Sequence, residues 1–111
     1  MLPLSLLDQS LIRAGGNARQ ALAETLEVAR RAEGWGYRRI WVSEHHDSPV
    51  IAGSSPEVLL AAIGAATSRI LIGSGGVMLP HYSAYKVAEN FAVRSEEHTS
   101  ELQSPYVISY A

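Results

Sequence analysis

The sequence contains no cysteine among its 111 residues, so neither disulfide bonds nor thiolate metal sites are available to it. It also lacks a strong charge of either sign, because nine Lys and Arg residues stand against 11 Asp and Glu residues. That balance gives no electrostatic reason to expect a nucleic acid or an anionic membrane as partner. No apolar run approaches the ~20 residues that span a bilayer, and no basic segment precedes the apolar start. These absences favour a protein of the cytoplasm.

What the sequence does contain is an alternation of short apolar runs with longer helical segments. Three buried strands are predicted, at residues 3–7, 40–42 and 70–72. Three helices are predicted, at residues 17–34, 56–67 and from about 83 onward. Asn17 and Gln20 have the spacing of a capping box, and Ser55 with Pro56 and Glu57 provides a second helix start. The pattern therefore predicts three strand-helix units.

Strands that alternate with helices, and that are apolar on both faces, specify an α/β fold with a parallel sheet and right-handed crossovers. A doubly wound sheet and an eightfold barrel both satisfy this pattern. In either architecture the active site lies at the carboxyl ends of the strands. The polar residues of this sequence follow its strands, so functional groups are expected there.

The polar segment after the second strand, Glu44-His45-His46-Asp47, carries the groups that acid-base catalysis or metal binding requires. Adjacent histidines point to opposite sides of an extended chain, so we predict no metal site. Surface histidines in a polar loop are the plainer alternative. The glycine-rich turn at 73–76 offers backbone amides to a phosphate, yet it matches neither of the known phosphate-binding fingerprints. The residues alone leave these interpretations open.

Three segments together resemble the start of the luciferase-like, flavin-dependent monooxygenases: LSLLDQS, AEGWGYRRIWVSEHH and IAGSSPEVLLAAIGAATSRILIGSGGVMLPHYSAYKVAENF. The resemblance spans residues 1–93, in order and in spacing. It implies the N-terminal part of a TIM (β/α)8 barrel, about three units long. It further implies reduced FMN supplied by a separate flavin reductase, O2 as co-substrate and a small organic molecule as substrate. A dimer is compatible with the full-length protein.

The resemblance also implies roles for particular side chains. His45 is expected to be the catalytic group, as a general acid or base or as a stabiliser of the oxygen adduct of the flavin. Glu44 and His46 are expected to support it. Asp8, at the end of the first strand, is expected either to face the same end of the barrel or to cap a loop.

The turn after the third strand is expected to pack on the flavin ring through Ser74, Gly75 and Gly76. In the family that this sequence resembles, the turn often contains a cis peptide bond that does not involve proline. In this sequence that bond is expected between Gly75 and Gly76. An ordinary tight turn is the alternative. A deazaflavin-dependent oxidoreductase of the same barrel and a small binding module without catalytic activity are the alternative functions.

A complete barrel takes ~250 residues, so most of one lies outside the 93 residues that carry the resemblance. We therefore expect this chain to be inactive alone, to lack the residues that hold the FMN phosphate, and to aggregate. Residues 94–111 differ in composition, being rich in Ser, Glu and Thr, and they resemble the translation of a sequencing adapter. Their hypothesised origin is read-through of a library artefact, which would make them a non-native tail.

Overall fold

The computed structural model describes residues 2–97, with side chains described as far as residue 93. Three strands alternate with three helices along the described chain. Their bounds are β1 (Ser5–Asp8), α1 (Ala18–Gly34), β2 (Arg39–Val42), α2 (Pro56–Ala66), β3 (Leu71–Ser74) and α3 (Ala84–Glu97), with a 3-10 turn at Leu79–His81 before α3. The predicted α/β class and element order are confirmed.

The strands form one sheet in the order β1-β2-β3, and both neighbouring pairs are parallel. Leu6 lies beside Ile40, and Ile40 lies beside Ile72. The register explains why β1 and β3 differ from the predicted ranges 3–7 and 70–72. Each outer strand is paired over the four residues that face the central strand, so β3 continues as far as Ser74.

The hydrophobic core lies between the sheet and the helices. Ile40 and Val42 point from the central strand into it and are fully buried. Helix α2 occupies the middle of this layer, where it contacts α1, α3, β2 and β3. The remaining buried core residues of α2, of the approach to β3 and of α3 are Leu60, Ile63, Ile70, Val87 and Phe91. Burial of this apolar surface is the main driving force that holds the helices on the sheet.

The helix starts follow the local sequence. The side-chain oxygen of Asn17 accepts a hydrogen bond from the backbone N–H of Gln20 at 2.9 Å, as the capping pattern predicts. Pro56 stands at the start of α2, where its missing N–H has no helical partner to lose. The buried face of α1 consists of Ala21, Thr25, Ala29 and Ala32, which recur every three or four residues.

The opposite face of the sheet is open. Leu7, Trp41 and Gly73 lie side by side across it, because the parallel register places them at the same level. Leu7 is 56% exposed there, and the guanidinium of Arg39 lies 5.1 Å from the ring centroid of Trp41. The apolar side chains of this face are thus incompletely covered in the described chain.

The third helix continues through residues 94–97, beyond the end of the segment that carries the resemblance. The prediction of a non-native tail otherwise concerns residues 98–111, which lie outside the described residues. In the part of the chain that the structure describes, each helix is too short or too polar to cross a membrane.

Candidate functional site

A concavity of 210 Å³ lies at the carboxyl end of the sheet, where residues that follow β2 and β3 meet. It brings together the segment after β2 and the glycine turn, two segments that the sequence predicts to carry functional groups. Its lining residues are Leu7, Ser43, Glu44, His45, Gly75, Gly76, Val77 and Met78. We refer to it as the strand-end cavity. His45, Gly75 and Gly76, predicted from different parts of the sequence, therefore share one cavity.

Glu44 is a deeply buried polar residue of this cavity, with its side chain 1% exposed. One carboxylate oxygen accepts the backbone N–H of Met78 at 3.0 Å, and the other lies 2.5 Å from Nε2 of His46. The hydroxyl of Tyr82 also hydrogen-bonds to Glu44; burial, this bond and the charges of Glu57 and Glu44 raise the pKa of Tyr82. Glu44 thus ties the loop after β2 to the segment after β3.

His46 belongs to the outer side of this loop. Its side chain is 38% exposed, and its ring makes an edge-to-face contact with the ring of His81 at a centroid distance of 4.8 Å. His46 is absent from the residues that line the strand-end cavity, whereas His45 lines it. The two neighbouring imidazoles thus have different surroundings. His45 lines the cavity, whereas His46 hydrogen-bonds to Glu44 outside it.

His45 is held at both its backbone and its ring. Its backbone N–H donates to the carbonyl of Gly53 at 2.9 Å, and its Nε2 lies 3.4 Å from Nε2 of Gln9. This contact with the Gln9 side chain restrains the position of the His45 ring. Sequence reasoning missed Gln9, although it follows Asp8 directly after the first strand.

The glycine turn follows β3 without a break. The backbone N–H of Gly75 donates to the carbonyl of Val42 at 2.7 Å and so extends the sheet ladder by one bond. The hydroxyl of Ser74 donates to the carbonyl of Gly76, and the N–H of Gly76 lies 3.3 Å from the same hydroxyl. Ser74 is buried outside the cavity lining and braces the turn, and its predicted contact with the cofactor stays a prediction.

The expected cis peptide between Gly75 and Gly76 was wrong, because the described residues contain no cis peptide bond. A trans bond between residues other than proline is favoured by about 3 kcal/mol. The hydroxyl of Ser74 closes the turn with the peptide in this favoured form. The chain bends at Gly75 with trans peptide bonds, and the contact of Gly75 and Gly76 with a flavin stays a prediction.

Asp8 faces α1 and lies outside the strand-end cavity. Its Oδ1 accepts the backbone N–H of Ser10 at 2.7 Å and the hydroxyl of Thr25 at 2.8 Å. The hydroxyl of Thr25 also lies 3.2 Å from the carbonyl of Ala21 and 2.6 Å from the hydroxyl of Ser10. Asp8 therefore caps the loop between β1 and α1, which is the second of its two expected roles.

Ser43 is a member of the cavity that sequence reasoning missed. Within residues 2–97 its Oγ is buried and has no hydrogen-bond partner. A buried hydroxyl without a partner costs about 1–3 kcal/mol relative to a paired one. The signal that could have identified it is strand alternation, since Ser43 comes two residues after Trp41 and so has the same facing. No group of three or more His, Asp and Glu side chains suited to a metal ion occurs among these same residues.

Three parallel strand-helix units, with the three helices packed in one layer on a single face of the sheet, are the arrangement of one sector of a barrel-type α/β fold. A family model described as luciferase-like monooxygenase matches residues 3–94, and the chain belongs to this family. The predicted family and the predicted partial barrel are both confirmed.

Known relatives agree with this assignment. The chain is 55% identical over 95 residues to the N-acetyl-S-alkylcysteine monooxygenase of Bacillus subtilis, covering 86% of this chain and 28% of the relative. The crystal structure of apo-MsnO8 is 38% identical with a TM-score of 0.84, over 99% of this chain and 32% of that one. A Baeyer-Villiger monooxygenase component from Pseudomonas putida, solved in complex with FMN, is 26% identical with a TM-score of 0.80, over 87% of this chain and 27% of that one.

The chain thus spans less than a third of the length of these relatives. It corresponds to the N-terminal sector of their barrels, and the described sheet has the open face and unpaired strand edges of such a sector.

Proposed function

We propose that this chain supplies the N-terminal sector of an FMN-dependent monooxygenase, which uses reduced FMN and O2 to insert oxygen into a small organic substrate. The observation that carries the proposal is that His45 and the Gly75-Gly76 turn line one cavity at the strand ends. Family membership and the FMN complex of a structural neighbour support the choice of cofactor.

The residues of the strand-end cavity fit one part of a flavin. Its volume of 210 Å³ is below the ~300–1,000 Å³ of complete small-molecule sites, as expected when the remaining wall comes from other strands. Leu7, Val77 and Met78 offer apolar surface to a ring system, and the two glycines present bare backbone to it. Ser43 adds a hydroxyl without a partner.

Bound flavin would supply the reaction with oxygen, and the chain's own groups would orient it and handle protons. His45 would hold or transfer a proton at its ring, with its Nε2 position restrained by Gln9. Glu44 would act through the loop geometry, since its carboxylate already has three partners in His46, Met78 and Tyr82.

The remaining parts of the proposal concern the whole protein. Reduced FMN would come from a separate flavin reductase in the cytoplasm, and the full-length protein would be free to dimerise. This chain alone would be inactive, because it lacks most of the barrel that closes around the flavin.

A chimeric enzyme tests the proposed function. Residues 1–93 would replace the matching segment of the Bacillus N-acetyl-S-alkylcysteine monooxygenase, and we call this protein the barrel chimera. We expect it to bind FMN in fluorescence titrations and to oxidise the N-acetyl-S-alkylcysteine substrate when reduced FMN is supplied. Parallel titration with a deazaflavin tests the alternative cofactor. A barrel chimera that melts cooperatively but binds no FMN would contradict the proposal.

His45→Asn in the barrel chimera tests the catalytic group. We expect turnover to fall by about 10²–10⁴-fold, the contribution typical of a positioned acid or base, with little change in the FMN dissociation constant. Asp47→Asn, an exposed change in the same loop, is the matched control. Equal turnover in both variants would remove His45 from the catalytic role.

A further inference from the structure

Ser43 occupies the first position after β2 on the open face of the sheet. Side chains alternate along a strand, so Ser43 has the facing of Trp41 and lies one layer nearer the carboxyl end. The hydrogen bond from Gly75 N–H to the Val42 carbonyl continues the β2–β3 ladder and brings Ser43 level with the glycine turn. Ser43 and Gly75 both line the strand-end cavity.

The other polar side chains of the cavity have partners. Glu44 accepts from Met78 and Tyr82 and contacts His46, and the ring of His45 contacts Gln9. In the described part of the chain, the Ser43 hydroxyl is the one buried side-chain group without a partner. The cavity wall around it is largely apolar, through Leu7, Val77 and Met78, and a water molecule requires two to four polar partners to be held in such a place.

We propose that the Ser43 hydroxyl is a flavin-positioning group, which donates a hydrogen bond to a carbonyl oxygen or ring nitrogen of the flavin when the ring lies against the Gly75-Gly76 turn. This inference rests on the proposed function. The hydroxyl is shielded within the wall in this structure, and a change of its single side-chain torsion would be needed to turn it toward the cavity. An edge of alternating carbonyls and nitrogens, which the flavin ring carries, suits a lone hydroxyl donor in an apolar wall.

The test compares two serine-to-alanine variants of the barrel chimera, measured for FMN affinity and for melting temperature without FMN. Ser43→Ala removes the hydroxyl without a partner. Ser83→Ala removes a hydroxyl that accepts the Lys86 N–H at 3.0 Å before α3, away from the cavity. We expect Ser43→Ala to weaken FMN binding by roughly five- to tenfold, the loss of one hydrogen bond, and to leave the melting temperature without FMN unchanged or raised. We expect Ser83→Ala to lower the melting temperature with FMN affinity unchanged.

Unchanged FMN affinity in Ser43→Ala would overturn the inference while leaving the proposed function intact. A melting temperature of Ser43→Ala without FMN that falls as far as that of Ser83→Ala would also overturn the inference. The Ser43 hydroxyl would then have a structural partner, such as an ordered water. A parent barrel chimera that binds no FMN would instead contradict the proposed function itself.

Discussion

At the scale of single residues, one carboxylate joins two distant parts of the chain. The side chain of Glu33, at the end of α1, accepts the backbone N–H groups of Ser68, Arg69 and Ile70, which lead into β3. Burial alone would raise the pKa of Glu33, but the three N–H donors and the Arg69 charge outweigh it and lower the pKa below its usual 4.5. The charged form is therefore the one that stabilises the fold.

Glu33→Gln tests this link through the pH dependence of stability. A lowered folded-state pKa means that the contribution of Glu33 is complete above pH 4.5 and is lost as pH falls through the folded value. At pH 7 we expect the variant of the barrel chimera to lose about 1–2 kcal/mol of unfolding free energy after solvent screening, measured by urea denaturation. The difference between parent and variant should shrink below pH 4.5.

Glu27→Gln is the matched control on the same helix. Glu27 is exposed, and its pKa is lowered mainly by a hydrogen bond from Arg31 at 2.8 Å. Surface pairs of this kind contribute little to stability, so the loss should be smaller than for Glu33→Gln. Equal losses in the two variants would mean that the three backbone donors at residues 68–70 add nothing.

At the scale of elements, the position of the Trp41 ring over β3 on the open face depends on a glycine. A Cβ atom added at Gly73 would lie 2.7 Å from Cζ3 and 2.9 Å from Cε3 of the Trp41 ring, closer than carbon atoms pack. Trp41 is the direct neighbour of Gly73 in the register, so the ring covers the place where a side chain would stand. Gly73 thus allows the large ring of Trp41 to lie across the sheet.

Gly73→Ala is expected to destabilise the barrel chimera by about 1–3 kcal/mol, the usual cost of overpacking. Thermal or urea unfolding measures this loss, and tryptophan fluorescence reports any displacement of the ring. Gly34→Ala, at the last residue of α1 and with no atom within 4 Å of the added Cβ, is the control. It should be neutral or slightly stabilising, since alanine favours the helix. A harmless Gly73→Ala would show that the ring moves aside freely.

At the scale of the whole molecule, the described sheet is open where a complete barrel is closed. Both β1 and β3 are edge strands in the sheet of the described residues. Apolar side chains remain largely exposed, among them Leu7 on this face and Leu2 and Leu4 before β1. Unpaired strand edges and exposed apolar surface are the features that promote association between chains.

We therefore expect the 111-residue chain to self-associate when isolated. The apparent molar mass from light scattering should increase with protein concentration. A dye that binds apolar surface should become fluorescent in the presence of the chain. The barrel chimera, in which the same sheet face is covered by the other strands, should remain free of aggregates under the same conditions. A monodisperse, cooperatively melting chain with little dye binding would favour a self-contained module over a barrel sector.

The sequence by itself determined the order of strands and helices, the cap at Asn17, the start of α2 at Pro56 and the family. These features depend on near neighbours or on a motif that runs continuously along the chain. It also indicated that the segment from Glu44 to His46 and the glycine turn carry function, because both follow predicted strands. The roles of the predicted site residues stay predictions that the barrel chimera tests.

Only the tertiary structure decided how the distant groups meet. The bonds from Asp8 to Thr25, from Glu33 to Ile70 and from Glu44 to Met78 join residues 17, 37 and 34 positions apart. Such pairings depend on how the crossovers lay each helix on the sheet, and local propensity carries no information about them. The same holds for the buried hydroxyl of Ser43, whose lack of a partner is a property of everything packed around it.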